Sequence, residues 1–227
     1  MASTRKRVET AILDKLRKGD LKPGERISHL KLAQELGVSS NPVVHAFRRL
    51  EGIGVLEHTP SGSTRVVERT PREVYCGFVL RQTIEGLAAR FCAELCTDEE
   101  MAVLNVRVEK LEQRIRAKEW DYEGEQGFHG GIVEFSHTPF LQMEYSRLRL
   151  VELATAYARK TGGVGPFSPD PGHSAVMEAI CRRDAGEAER LMRIHLGARL
   201  RKFAVTDMEM TEWIADDKGV RETVAAT

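Results

Sequence analysis

The first apolar stripe is Val8, Ile12 and Leu16, spaced i, i+4, i+8, and it predicts a helix from about Thr4 to Lys18. Gly19 ends that helix, and Asp20-Leu21-Lys22-Pro23-Gly24 makes a turn. A short extended piece follows around Glu25–Ile27. Ser28 is placed to N-cap a second helix with Leu30, Ala33 and Leu36 along one face. Gly37 stands where a left-handed C-cap is usual. The third helix runs from Ser39 to Gly52, capped by Ser39 or Asn41, with Pro42 tolerated in the first turn because no amide donor is needed there. Its inward face is Val43, Phe47 and Leu50. Val55–His58 and Thr64–Glu68 then read as two short strands around the turn Thr59-Pro60-Ser61-Gly62, a hairpin.

After Thr70-Pro71 the periodicity becomes helical throughout. Six helices are predicted, at about 71–95, 98–118, 121–137, 139–160, 172–184 and 186–205. Thr161-Gly162-Gly163-Val164-Gly165-Pro166 is a loop, and the polar stretch from Asp207 trails over the surface. The fold class is therefore mainly α. A winged helix-turn-helix occupies residues 1–69, and an antiparallel six-helix bundle occupies residues 70–227.

Composition adds class and compartment. Apolar residues make up 41% and charged residues 30%, an ordinary core-forming balance. No apolar run is long enough to span a bilayer, and MASTRKRVETAILDKL lacks the apolar core of a signal peptide. The expectation is a cytoplasmic protein with no membrane partner. Cys76, Cys92, Cys96 and Cys181 form no C-x-x-C pair, and Cys92 and Cys96 read as small buried hydrophobes. The formal net charge is zero, yet residues 1–69 hold 13 Lys and Arg against 8 Asp and Glu, a net of +5. A basic head on an acidic body suggests that the head meets a polyanion.

With Val43, Phe47 and Leu50 facing inward, Asn41, Val44, His45 and Arg48 lie on the opposite flank of the third helix, with Arg49 at its edge. In a helix-turn-helix that flank enters the major groove. Ser39, Ser40 and the amides at the helix start are placed to meet phosphates. Gly62 at the hairpin tip, with Arg65 close by, suits a neighbouring groove. The run Leu36-Gly37-Val38-Ser39-Ser40-Asn41-Pro42-Val43, continuing to Phe47-Arg48-Arg49-Leu50-Glu51, resembles the GntR family of bacterial regulators, as does Leu21-Lys22-Pro23-Gly24-Glu25-Arg26-Ile27 upstream. The resemblance covers nearly all of residues 5–69 and implies a double-stranded DNA operator as partner. Members usually carry arginines where this chain has Ser40 and Val44, and an acidic residue where it has His45. Arginine reads guanine edges bidentately, so the departures imply a different or weaker operator.

The body resembles the FadR C-terminal (FCD) ligand-binding domain of one GntR subfamily, in its shorter VanR-like form. Three passages carry the likeness. They are Leu80-Arg81-Gln82-Thr83-Ile84-Glu85, then Glu125-Gln126-Gly127-Phe128-His129, and then His173-Ser174-Ala175-Val176-Met177-Glu178-Ala179-Ile180 with Met192 and His195 beyond. Glu125 and His129 project from one helix face. His173 opens the next-to-last helix and His195 lies on the last. One carboxylate and three imidazoles from three helices can hold a divalent ion, zinc first, with nickel, manganese or iron as alternatives. The family usually has Asp where this chain has Glu125. His29, His45, His58 and His137 have no metal-ligand spacing. Arg81 matches the family arginine that points into the pocket, with Tyr145 and Arg149 as further candidates, and together they suggest a small organic acid as effector. The bland reading is that Arg81 pairs with Glu85 on its own helix.

These readings lead to a homodimeric repressor, not an enzyme, whose effector alters the placement of two DNA-binding heads. Two alternatives remain: a metal-dependent hydrolase, since three histidines and a carboxylate also describe catalytic centres, and a ligand-binding protein with degraded DNA recognition. No second acid-base residue at a recognisable spacing supports the hydrolase. Gel retardation that weakens with salt separates the regulator from the third reading.

Overall fold

A computed structural model describes residues 4–119, 122–154 and 172–206. The predicted loop at 161–166, the end of the fourth bundle helix and the tail from Asp207 lie outside the described residues. The chain divides into two compact units, one built on Met1–Thr70 and one built on Pro71–Ser146 with the helices after residue 171.

The head begins with α1, Thr4–Lys18, whose Val8, Ile12 and Leu16 are sealed from solvent as their spacing predicts. Burying each contributes about 1.5–3 kcal/mol. Strand β1, Arg26–Ile27, leads to α2, His29–Leu36. Ser28 caps α2 by accepting from Lys31 N, and Gly37 closes it in the left-handed conformation at φ 62°. The predicted face is corrected here: Leu32 and Ala33 are buried, while Leu30 is 62% exposed. In a helix of two turns, 30/33/36 and 32/33/36 are both plausible stripes, and the packing partner decides between them.

Helix α3, Ser40–Gly52, buries Val43, Ala46, Phe47 and Leu50. Ser39 occupies the N-cap but makes no side-chain cap bond. Strands β2, Leu56–His58, and β3, Thr64–Val66, form the expected hairpin. The extended piece before α2 joins them, giving a three-stranded antiparallel sheet in the order β1-β3-β2. Arg65 on the central strand sits opposite Arg26 on one side and Glu57 on the other.

The second unit contains α4 (Pro71–Leu95), α5 (Asp98–Arg116), α6 (Tyr122–Phe135), the part of α7 (Pro139–Ala154) up to Ser146, α8 (Gly172–Cys181) and α9 (Ala185–Thr206). Helix α4 presents the small residues Ala88, Ala89, Cys92 and Ala93 to the core, and α9 packs along it. Small side chains permit that close approach: a Cβ on Gly86 would come 2.7 Å from Arg193 Cγ. Gln82 Nε2 donates to Arg193 O at 2.6 Å, and Arg90 meets Glu189 at 3.4 Å. As one index rises the other falls, so the pair is antiparallel. The contacts Arg107–Gly127 and His137–Glu100 show the same for α5 and α6, and Asn105–Cys181 and Glu112–His173 for α5 and α8. Helix α5 starts on a full capping box, in which Thr97 and Glu100 satisfy each other's backbone amides. Among the described residues no helix is long and apolar enough to cross a membrane.

Candidate metal centre and nucleic-acid interface

Four of the bundle's buried polar residues come from the same three helices. Glu125 and His129 stand one turn apart on α6, His173 is the second residue of α8, and His195 lies midway along α9; exposure is 4%, 0%, 4% and 1% respectively. Their register follows from apolar neighbours. Phe128, Ile132, Val176, Met177, Met192 and Leu196 point into one core and carry the polar residues in with them.

Candidate ligand atoms of His129, His173 and His195 all lie within 4.8 Å of one another. The His173 and His195 ring centroids are 4.4 Å apart, and those of His129 and His195 are 5.3 Å apart and stacked. Glu125 spans two of the rings, with Oε2 3.5 Å from His129 Nε2 and Oε1 3.4 Å from His173 Nε2. His129 Nε2 is sealed from solvent without a hydrogen-bond partner. Burying an imidazole nitrogen with its lone pair unused is costly. A zinc ion takes such imidazole nitrogens as ligands, so a bound ion would satisfy it. The donor set therefore fits a divalent metal of the nitrogen- and oxygen-binding kind.

The surrounding charges were only partly visible in the sequence. Glu85 on α4 is fully buried, ion-paired with Arg81, and places Oε2 2.6 Å from His129 Nδ1. Burial alone pushes its carboxyl up, but the Arg81 guanidinium and His129 outweigh that and hold it well below the usual carboxylate range. Glu112 on α5 meets His173 Nδ1 at 3.2 Å, and that hydrogen bond lowers its carboxyl from the ordinary value despite partial burial. Neither glutamate was expected at the site. Arg81–Glu85 could be read from i, i+4 spacing, but the link onward to His129 depends on how α4 meets α6. Arg81 is 4% exposed with its charge partly committed to Glu85, and Tyr145 is buried in the same core. The Arg149 side chain lies outside the described residues.

In the head, Asn41, His45, Arg48 and Arg49 are exposed, Ser40 and Val44 are half-buried, and Ser39 is exposed at the cap. Gly62 occupies the hairpin tip at φ 83°. There Thr59 O accepts from Gly62 N and Thr59 Oγ1 bonds to Ser63, which stiffens the wing. A groove of about 600 Å³ runs between α3 and the wing. Val44, Arg48 and Gly62 line it together with Arg26, His29, Lys31 and His58, none of which was singled out from the sequence. Their signal was the extended piece before α2, whose pairing to β3 brings Arg26 to the same surface. The arginines differ in availability: Arg49 pairs with Glu9 at 3.3 Å and Arg65 with Glu57 at 2.6 Å.

Comparison with known proteins decides the class. Residues 77–198 match the FCD domain, and residues 4–66 match the family described as bacterial regulatory proteins, gntR family. The chain belongs to the GntR family, with an FCD domain. Over 127 residues it is 32% identical to the uncharacterized HTH-type transcriptional regulator YdhC of Bacillus subtilis, an alignment covering 55% of this chain and 57% of that one. Over 202 residues, 85% of each chain, it is 23% identical to a probable D-xylose utilization operon transcriptional repressor of Paenarthrobacter nicotinovorans. The solved structure of E. coli McbR/YncC superposes with a TM-score of 0.73 at 21% identity, covering 91% of this chain and 99% of that one, which supports the fold. Membership of the GntR family places the chain among DNA-binding transcription regulators.

Proposed function

We propose that this GntR-family chain is a cytoplasmic homodimeric repressor whose hold on its operator is set by a small organic acid bound beside a divalent metal in the FCD domain. The observation that carries the reading is the convergence of Glu125, His129, His173 and His195 in a buried core. An ion there, zinc first among zinc, nickel, manganese and iron, supplies a Lewis-acidic contact for an anionic ligand. The chain's own residues bind and orient that ligand. Arg81 offers a guanidinium for one carboxylate, Tyr145 a phenol inside the same core, and Arg149 is a further candidate on α7.

An acid in this position acts on DNA binding only through differential affinity. It must prefer one arrangement of the two heads, which no longer fits two half-sites at once. The α3 flank of Asn41, Val44, His45, Arg48 and Arg49 enters the major groove, Ser39 and Ser40 meet phosphates, and Gly62 with Arg65 reaches the neighbouring groove.

Two measurements test the proposal. Metal analysis of the pure protein and of a His129→Ala/His195→Ala variant should show one divalent ion per chain in the first and none in the second. Equal metal content refutes the ligand assignment. Gel retardation on neighbouring promoters should show binding that weakens with salt and is altered by the effector acid. Absence of retardation at low salt favours a ligand-binding protein in which Ser40 and Val44 have abolished DNA recognition.

A further inference from the structure

His129 and His173 are built alike. Each ring turns Nε2 towards Glu125, at 3.5 and 3.4 Å, and turns Nδ1 towards a second carboxylate on a helix that carries no ligand. For His129 the outer partner is Glu85 on α4, with Oε2 at 2.6 Å; for His173 it is Glu112 on α5, with Oε1 at 3.2 Å. We propose that Glu85 and Glu112 are the positioning residues of the metal centre, each taking the Nδ1–H of one ligand imidazole and so aiming its Nε2 lone pair at the ion. The proposal rests on the metal reading above and adds to it the two residues that set ring orientation.

A neutral imidazole has one N–H and one lone pair, and whichever nitrogen is hydrogen-bonded to a carboxylate keeps the proton. With Nδ1–H committed outward, Nε2 is left as the ligating atom and becomes more basic. His129 and His173 come from different helices, as do their two carboxylates, so neither arrangement follows from helical spacing. Glu85 is an expensive place for a carboxylate, since it is fully buried. Such a charge is tolerated only with excellent partners, and Arg81 beside it supplies one. Arg81 is accordingly a support of the metal site as well as a candidate effector contact. The two contacts differ in readiness. Glu112–His173 is already a hydrogen bond, whereas the Glu85–His129 approach is short but out of line with the ring N–H.

The test uses the full chain, stripped of metal with a chelator and titrated with zinc alone against a chromophoric competitor, and in parallel with cobalt followed by visible absorption. The variants are Glu112→Gln, at a half-buried site, and Arg81→Gln/Glu85→Gln, which removes both charges of the buried pair together. Each should bind zinc about 10–100-fold more weakly than wild type. In each, the cobalt spectrum should keep the intensity of an unchanged ligand count while its bands shift. The metal-free Glu112→Gln protein should fold and melt cooperatively, somewhat below the wild type because the ionised carboxylate's bond to His173 is weakened, and it carries the test alone if the double variant does not fold. Zinc affinity within twofold of wild type overturns the assignment of the residue replaced. A wild type that binds no zinc removes the metal reading and this proposal together, whereas zinc-binding wild type and equally tight variants remove only the second.

Discussion

Arg48 is the sharpest probe of the DNA interface. It is exposed, lines the groove between α3 and the wing, and forms no ion pair among the described residues. Arg49 and Arg65, by contrast, are held by Glu9 and Glu57. The Arg65–Glu57 pair is exposed on both sides, and such pairs are worth about 0–1 kcal/mol, so DNA can draw Arg65 away, but at a cost that Arg48 does not carry. If Arg48 neutralises one phosphate, Arg48→Ala lowers the slope of log affinity against log salt by about 0.9 per head, or about 1.8 for a dimer. Over the fourfold rise from roughly 50 to 200 mM salt, the advantage of wild type over the variant then shrinks about twelvefold. If Arg48 instead grips a guanine edge, the loss is about 1–3 kcal/mol at every salt concentration, with relaxed preference at one base pair. Fluorescence anisotropy with a labelled operator, across that salt range, separates the two. Wild-type affinity and slope in Arg48→Ala would refute the placement of this flank on DNA. Glu57→Gln is the companion measurement: by releasing Arg65 it should tighten binding and steepen the slope.

Three further predictions concern the bundle. A Cβ on Gly131 would stand 2.8 Å from Leu104 Cδ2 and run into the Arg107 guanidinium, so Gly131→Ala should destabilise by about 1–3 kcal/mol; an unchanged urea midpoint would show that α5 and α6 have room to part. Glu100 is held below its ordinary value by the Thr97 backbone amide and then by His137. A folded-state value below the unfolded one gives stability that is present above about 4.5 and lost as pH falls through the lower folded value. Glu100→Gln should therefore lower the melting temperature near neutrality and narrow the gap to wild type in acid; a gap independent of pH refutes it. Arg183 donates to Cys96 O at 2.5 Å and to Asp98 at 2.9 Å, tying the α8–α9 corner to the end of α4. Arg183→Ala should cost about 1 kcal/mol, since a charged hydrogen bond at a partly exposed site keeps only part of its strength, and a neutral result in chemical denaturation would show the bonds to be replaceable by water.

What the sequence revealed divides along a physical line. Features set within one or two helical turns were legible: the buried stripe of α1, the Ser28 and Gly37 caps and the α6 pair Glu125 and His129. Even the meeting of His173 and His195 with that pair rested on family resemblance, because spacing does not say which helices touch. Glu85 and Glu112 escaped notice for the same reason, since each acts on a histidine from another helix. Leu30 failed differently: α2 has only two turns, and its eight residues hold two competing apolar stripes. The third strand was visible only as an extended piece, because a strand of two residues has no periodicity to read.

The four thiols sort themselves by accessibility. Cys92 and Cys96 are buried, and burial pushes both thiols up, so the reactive thiolate is scarce there. Cys76 and Cys181 are exposed, one near the start of α4 and the other at the end of α8. Maleimide reagents should therefore mark two chosen points of the native bundle without any engineering, giving a ready-made pair for distance spectroscopy. Slow labelling at Cys92 would then serve as a clock for the rare moments when the core around α4 opens.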